Sequence, residues 1–199
     1  MKKLTLLLLG LLFVATTASA DVVTGEMAPN FTLTSASGEA VSLEDFKGQH
    51  VVLEWTNHQC PFVVKHYGSG NMQALQEKWT DQNVVWLSII SSAKGKQGHV
   101  TPEEAQQLTE ERGAFPSDVL LDESGDVGRL YGAKTTPHMF VIDPDGTIVY
   151  QGAIDSIASF DPDDIAQATN YVDNALTKSM AAEPIEMHAT KPYGCSIKY

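Results

Sequence analysis

The chain has 199 residues, 43% hydrophobic and 19% charged, which suits one globular domain and excludes collagen-like, disordered and disulfide-dense classes. Thirteen Lys and Arg against 25 Asp and Glu give a net charge of −12, a poor balance for binding nucleic acid or an anionic membrane.

The first twenty residues have the layout of a secretory leader. Lys2 and Lys3 form a basic start, Leu4 to Val14 an apolar stretch, and Ala18-Ser19-Ala20 a small-residue cleavage site. An uncleaved anchor is the alternative, but the apolar run is short for a bilayer span. Cleavage would leave a soluble, exported chain from Asp21, periplasmic or extracellular, with 11 basic against 25 acidic residues, or −14. Outside the cytoplasm a cysteine pair can persist as a disulfide, and the chain holds two, Cys60 and Cys195.

Phe31–Thr34 and Val41–Leu43 alternate around Ser37-Gly38, predicting an N-terminal β-hairpin. A helical turn follows at Glu44–Gly48. Four apolar runs, Val51–Trp55, Val84–Ile90, Val119–Leu121 and Met139–Ile142, suit strands buried on both faces. Asp143-Pro144-Asp145-Gly146 predicts a turn into a strand at Thr147–Tyr150. Between the runs lie helices: one from Pro61 that weakens at Gly68-Ser69-Gly70 and resumes at Asn71, and one capped by Thr101, Pro102 and Glu104 that ends at Arg112-Gly113. A short helix is expected over Gly128–Tyr131 and a long one from about Pro162 to Met180. The fold class is therefore α/β, a central mixed β-sheet flanked by helices. Residues 21–180 form the domain, and 181–199 an extended, irregular C-terminal tail carrying Cys195.

Cys60 follows a strand through a short loop, and Pro61 then opens a helix. A thiol at a helix N-cap meets unsatisfied N–H groups and the positive end of the dipole, which favour an anion by about 0.3–1 kcal/mol. The thiolate is the nucleophile, so the position suits a reactive cysteine; a buried structural thiol is the alternative. The second feature is Thr136-Pro137-His138. Proline directly before a buried strand removes a ladder donor, and a cis bond there would set its carbonyl groups and His138 at the mouth of the sheet.

With Ala28–Leu33, Val51–Trp55, Cys60-Pro61, Tyr131-Gly132, Thr136–Asp143 and Asp145-Gly146, the chain resembles the thioredoxin-fold redoxin superfamily, which includes the alkyl hydroperoxide reductase/thiol-specific antioxidant proteins. Asn57–Tyr67 and Pro192–Tyr199 resemble a peroxiredoxin-like subgroup. The resemblance covers roughly residues 25–174 and implies a thioredoxin-like fold and a cis Pro137 facing Cys60.

The departures are informative. The second position of a Cys-x-x-Cys pair is Val63, so a local resolving thiol is missing. The Pro and Thr that precede a peroxidatic cysteine are replaced by Leu53 and Asn57, and the helper Arg position by Thr136-Pro137. Cys195 can supply what Val63 does not. Fourteen residues from Ala181 reach up to roughly 45 Å, and the globule is about 40 Å across. A free Cys195, or one paired between molecules, is the other arrangement. Glu54, a carboxylate in an apolar strand six residues before Cys60, is either a proton-transfer group or a paired acid.

The candidate catalytic residues are therefore Cys60, Cys195, Pro137 and Glu54. Thr136, His138, Asn57 and Trp55 are the candidates for contacting substrate. His58, Lys65 and His66 lie nearby, but no spacing matches a metal signature, and neither a metal nor a cofactor is expected. The expected activity is a thiol-based oxidoreductase acting on a protein or small-molecule disulfide and re-reduced by an external thiol. A thiol peroxidase using Cys60 and a non-enzymatic redoxin module are the rival readings.

Overall fold

The computed structural model describes residues 22–199; the expected leader lies outside them. Strands β1 (Thr32–Ser35) and β2 (Ala40–Ser42) form the hairpin, and a 3-10 turn at Leu43–Phe46 leads to β3 (Val51–Trp55). Helices α1 (Pro61–Gly68) and α2 (Asn71–Thr80) precede β4 (Val85–Ile90). Then come α3 (Pro102–Glu111), β5 (Asp118–Leu121), α4 (Asp126–Leu130), β6 (Thr135–Thr136), β7 (His138–Ile142) and β8 (Ile148–Gly152). Helix α5 (Tyr171–Met180) and β9 (Cys195–Ser196) complete the order.

Seven strands make one mixed sheet in the order β2-β1-β5-β4-β3-β7-β8. The centre is parallel, β3 on β4 on β5, and β7 and β8 add antiparallel to the β3 edge. Every residue of β3 and β7 is buried, as continuous apolar runs in a sheet covered on both faces require. On one face Leu53, Trp55, Leu87, Ile89, Phe140 and Ile142 pack with Val127 and Tyr131 of the α4 region. On the other, Val52, Trp86, Met139 and Val141 meet Val63, Met72, Trp79, Val172 and Leu176 from α1, α2 and α5. The chain thus has the α/β mixed-sheet architecture expected, with a thioredoxin-like course.

Helix α3 starts as its residues dictate. Thr101 Oγ1 accepts from the Glu104 N–H at 3.2 Å, and the Glu104 carboxylate accepts from the Thr101 N–H at 2.7 Å. Such a cap is worth about 1 kcal/mol. The long helix expected over 162–180 is two pieces. A 3-10 turn covers Pro162–Gln167, Ala168 turns extended at ψ 144°, and Asn170 recaps the chain by accepting from the Asp173 N–H at 2.9 Å. The fourth helix begins earlier than expected, at Asp126, because Asp122 accepts from the N–H groups of Val127 and Gly128 at 3.3 and 2.8 Å.

The tail is not irregular throughout. It returns along the β7–β8 edge, where Gln151 donates to His188 and accepts from the Thr190 N–H. Thr190 Oγ1 then accepts from the Ala153 N–H and meets the Tyr150 hydroxyl at 2.6 Å. Beyond that point β9 pairs antiparallel with β6, Thr136 opposite Cys195.

Two buried imidazoles link stability to pH. Burial pulls His66 down to about 4 against the raising influence of Asp155, and burial with Lys134 nearby pulls His138 down to about 3. Unfolded histidine titrates near 6.5, so between these values the unfolded chain binds more protons. This stability is fully present above pH ~6.5 and is lost as pH falls through about 4 and about 3. Urea midpoints are therefore expected to fall between pH 7 and pH 4 by an amount worth a few kcal/mol. His138→Gln should flatten the slope; a wild-type midpoint unchanged over that range would contradict it.

Candidate active site

Cys60 is the N-cap of α1, extended at φ −80°, ψ 124°, with Pro61 at the first helical position. Its carbonyl accepts from the N–H groups of Val63 and Val64 at 2.9 and 2.8 Å. The sequence expectation of strand, loop and capped helix is what the structure contains, and the Thr136–Pro137 peptide is cis. Thr136 presents its carbonyl to the cysteine, accepting from the Cys60 thiol at 3.1 Å.

The second sulfur is delivered by β9. Cys195 Sγ lies 2.6 Å from Cys60 Sγ, closer than two non-bonded sulfurs pack, and the Cys195 N–H points at Cys60 Sγ at 3.4 Å. A disulfide needs about 2.05 Å, so bond formation asks the sulfurs to close by roughly half an ångström. Gly194 makes this approach possible. Its φ is +134°, and a Cβ on it would stand 2.0 Å from the Thr136 carbonyl oxygen. Only a residue without a side chain lets the tail backbone lie so close to the Thr136–Pro137 segment.

The same strand corrects one expectation. Cys60 is not an accessible nucleophile in this arrangement: it is 0% exposed, and Cys195 is the half-exposed partner above it. The backbone edge of Thr136, a residue expected to contact substrate, is occupied by the chain's own tail.

Electrostatics separate the two thiols. Burial raises Cys60, but hydrogen bonds from the Cys195 thiol and from the Val63 and Cys195 N–H groups outweigh it, so Cys60 lies below the ordinary thiol range. Burial and the contact with Cys60 push Cys195 up to about 11. Cys60 is thus the better thiolate and the better leaving group.

The remaining predicted site residues lie around the pair, and most face inward. Trp55 is 0% exposed; its indole donates to Ser91 Oγ at 3.0 Å and its ring packs on Tyr131 and Phe140. Asn57 is 1% exposed and shapes the loop, accepting from the Gln59 N–H at 2.9 Å and donating to the Gln97 carbonyl at 3.3 Å. His138 is buried, stacks on Phe140 at 4.7 Å and accepts from the Lys134 N–H at 3.2 Å. These three, expected to touch substrate, support the site from beneath instead, because each is closed into the core by partners of its own. Thr136 is buried as well and acts through its carbonyl.

Glu54, within β3, is fully buried and acts as an acceptor. It receives the Tyr67 hydroxyl at 2.9 Å, Trp86 Nε1 at 2.8 Å, Ser88 Oγ at 3.1 Å and Gln76 Nε2 at 3.3 Å. Its charge and the burial hold the Tyr67 hydroxyl well above the usual phenol range, burial being the larger cause. Among the described residues, neither sulfur is one of its hydrogen-bond partners. Lys65 and His66, which the sequence places in the helix after Cys60, are buried against Asp155, at 3.6 and 3.8 Å. Asp155 and Tyr193 escaped the sequence reading; the only cue was an aromatic-glycine pair directly before Cys195. Among the described residues no group of three His, Cys, Asp or Glu side chains is placed to hold a metal.

Known proteins share sequence and fold with the chain. The chain is 28% identical to the thiol-disulfide oxidoreductase ResA of Bacillus thuringiensis over 127 residues, 64% of this chain and 68% of that one. A crystal structure of an uncharacterised conserved protein from Geobacillus kaustophilus superposes with a TM-score of 0.76 at 29% identity, covering 89% of this chain and 92% of that one. A hypothetical protein from Sinorhizobium meliloti shares the fold at TM-score 0.78 and 22% identity, over 90% and 96% of the two chains. The AhpC/TSA family model matches residues 24–151, from the segment before β1 through β8 and including Cys60 and Pro137, and the chain belongs to the AhpC/TSA family.

Proposed function

We propose that the chain is an exported thiol–disulfide oxidoreductase with Cys60 as nucleophile and Cys195 as resolving cysteine. The observation that carries this reading is the 2.6 Å approach of two cysteine sulfurs 135 positions apart in the chain, at a helix N-cap. With the tail lifted, the Cys60 thiolate attacks a substrate disulfide, forming a mixed disulfide and expelling one substrate thiolate, which takes up a proton. Cys195 then attacks Cys60 Sγ, and its proton passes to the second substrate sulfur as that sulfur departs. The second substrate thiol leaves and the Cys60–Cys195 bond remains. The substrate gains two electrons and the chain loses them.

Regeneration has a direction. The half-exposed sulfur of the closed pair is Cys195, so an incoming thiol reductant meets it first and expels Cys60, the lower-pKa thiolate. A disulfide suits the site better than a hydroperoxide. Asn57 is already engaged, Arg112 donates to the His58 carbonyl and lies over Tyr67, and Arg129 lies over Tyr199. Export rests on the leader-like first twenty residues. ResA, the relative above, carries the name of the same activity.

The test is a single-turnover measurement. Pre-reduced protein, freed of reductant, is mixed with excess oxidised insulin-type substrate. About one substrate disulfide should be lost per chain, with both cysteines becoming resistant to alkylation. Consumption of hydrogen peroxide but no disulfide would replace this reading with the peroxidase one.

A further inference from the structure

Two residues before Cys195, the tail inserts Tyr193 into a buried charged socket that the thiol chemistry does not use. The Tyr193 hydroxyl donates to Asp155 Oδ1 at 2.5 Å and lies 3.3 Å from His66 Nε2. Asn71 Nδ2 donates to His66 Nδ1 at 2.9 Å, which leaves Nε2 as the N–H aimed at the tyrosine oxygen. Asp155 also accepts from the Ile157 N–H at 3.0 Å, and Lys65 Nζ stands 3.6 Å from its other oxygen, which accepts no hydrogen bond. The Lys65 and His66 side chains are both 0% exposed, and Asp155 is 3% exposed. The Tyr193 ring rests on Phe62 of α1 at 5.7 Å, two residues after Cys60.

A carboxylate buried this deeply needs its hydrogen bonds, and one of them comes from the tail. Withdrawal of the tail would leave Asp155 Oδ1 with a single N–H donor, a costly state for a buried acceptor. The socket therefore favours the docked tail whether or not the sulfurs are bonded. Further along, the Lys198 carbonyl accepts from the Ala93 N–H at 2.8 Å and the Tyr199 hydroxyl donates to the Ala133 carbonyl at 2.7 Å, so Cys195 is held between two anchorages.

We infer that Tyr193 is a positioning residue whose hydroxyl, seated on the Lys65–His66–Asp155 cluster, keeps the reduced tail docked and Cys195 waiting at Cys60. The inference rests on the reading of Cys60 and Cys195 as a redox pair. The constant for closing the disulfide is the constant of the docked chain multiplied by the fraction docked. Loss of the hydroxyl lowers that fraction, while the Tyr199 anchorage limits the fall.

The full chain and its Tyr193→Phe variant are equilibrated in graded mixtures of reduced and oxidised dithiothreitol, quenched by alkylation and weighed. The variant should close the Cys60–Cys195 bond with a constant about tenfold lower, a potential about 30 mV less negative. In the reduced variant the Cys195 and Ser196 amides should exchange hydrogen faster, with the near-UV signal of the fold retained. Asp155→Asn keeps the shape of the socket, weakens the acceptor and should lower the constant in the same direction, so a folding failure of one variant leaves the other to decide. Equal constants in wild type and folded variants overturn the positioning role and leave the redox pair standing. A wild type that forms no such bond overturns both.

Discussion

Cys60→Ser is expected to lower disulfide reduction by about a thousandfold or more, because a serine hydroxyl at neutral pH offers almost no anion to attack sulfur. Cys195→Ser should fail differently. Cys60 still attacks, but no second sulfur lies 2.6 Å away to release the substrate, so a mixed disulfide accumulates at one adduct per chain. Peptide mapping should place that adduct on Cys60. In the Cys60→Ser chain, incubation with oxidised glutathione should instead put the adduct on half-exposed Cys195. Wild-type turnover by Cys195→Ser would show that the tail has no part in resolution, whatever its position.

Glu54→Ala carries the largest expected cost to stability, about 3–5 kcal/mol, a large share of the 5–15 kcal/mol that holds a typical domain together. The substitution removes one acceptor but strands several donors. The Trp86 indole, Ser88 hydroxyl and Gln76 amide all end on Glu54 Oε2, and the Tyr67 hydroxyl on Oε1. Each stranded donor adds a desolvation penalty on top of the cavity left in a packed face. Urea unfolding of the reduced chain measures it, and a loss below about 1 kcal/mol would show that the network rearranges cheaply. Glu54→Gln separates structure from proton transfer. If Glu54 only braces the sheet, the folded variant keeps the wild-type pH dependence of Cys60 alkylation. A shifted profile in a folded variant would assign Glu54 to proton transfer.

Local chemistry made some features legible in the sequence. Apolar runs interrupted only by Glu54 in β3 and Ser88 in β4, and led by His138 in β7, mark strands with both faces covered, and Pro61 after Cys60 suits the first position of a helix. Thr101 and Glu104 announced the start of α3 by their three-residue spacing. The features that escaped depend on partners far along the chain. Strands β6 and β9 have two residues each, too few for any periodicity, and exist because Gly194 tolerates a backbone contact no other residue could. Burial of Lys65 became intelligible only with Asp155, ninety positions on, and the accessibility expected of Cys60 failed because its cover comes from the tail. Asn170 broke the expected 162–180 helix by a side-chain cap, a signal weaker than the helix-forming residues around it.

The central claim is that the two thiols form one redox couple. The most direct measurement equilibrates the chain in glutathione buffers of graded potential, traps thiols by alkylation and weighs the products. The account predicts a single two-electron transition in which both cysteines lose or gain their labels together, with a midpoint above about −300 mV, in the range of exchangeable disulfides. Two cysteines that remain labelled across the whole series, or a bond that no buffer down to that potential opens, would contradict it.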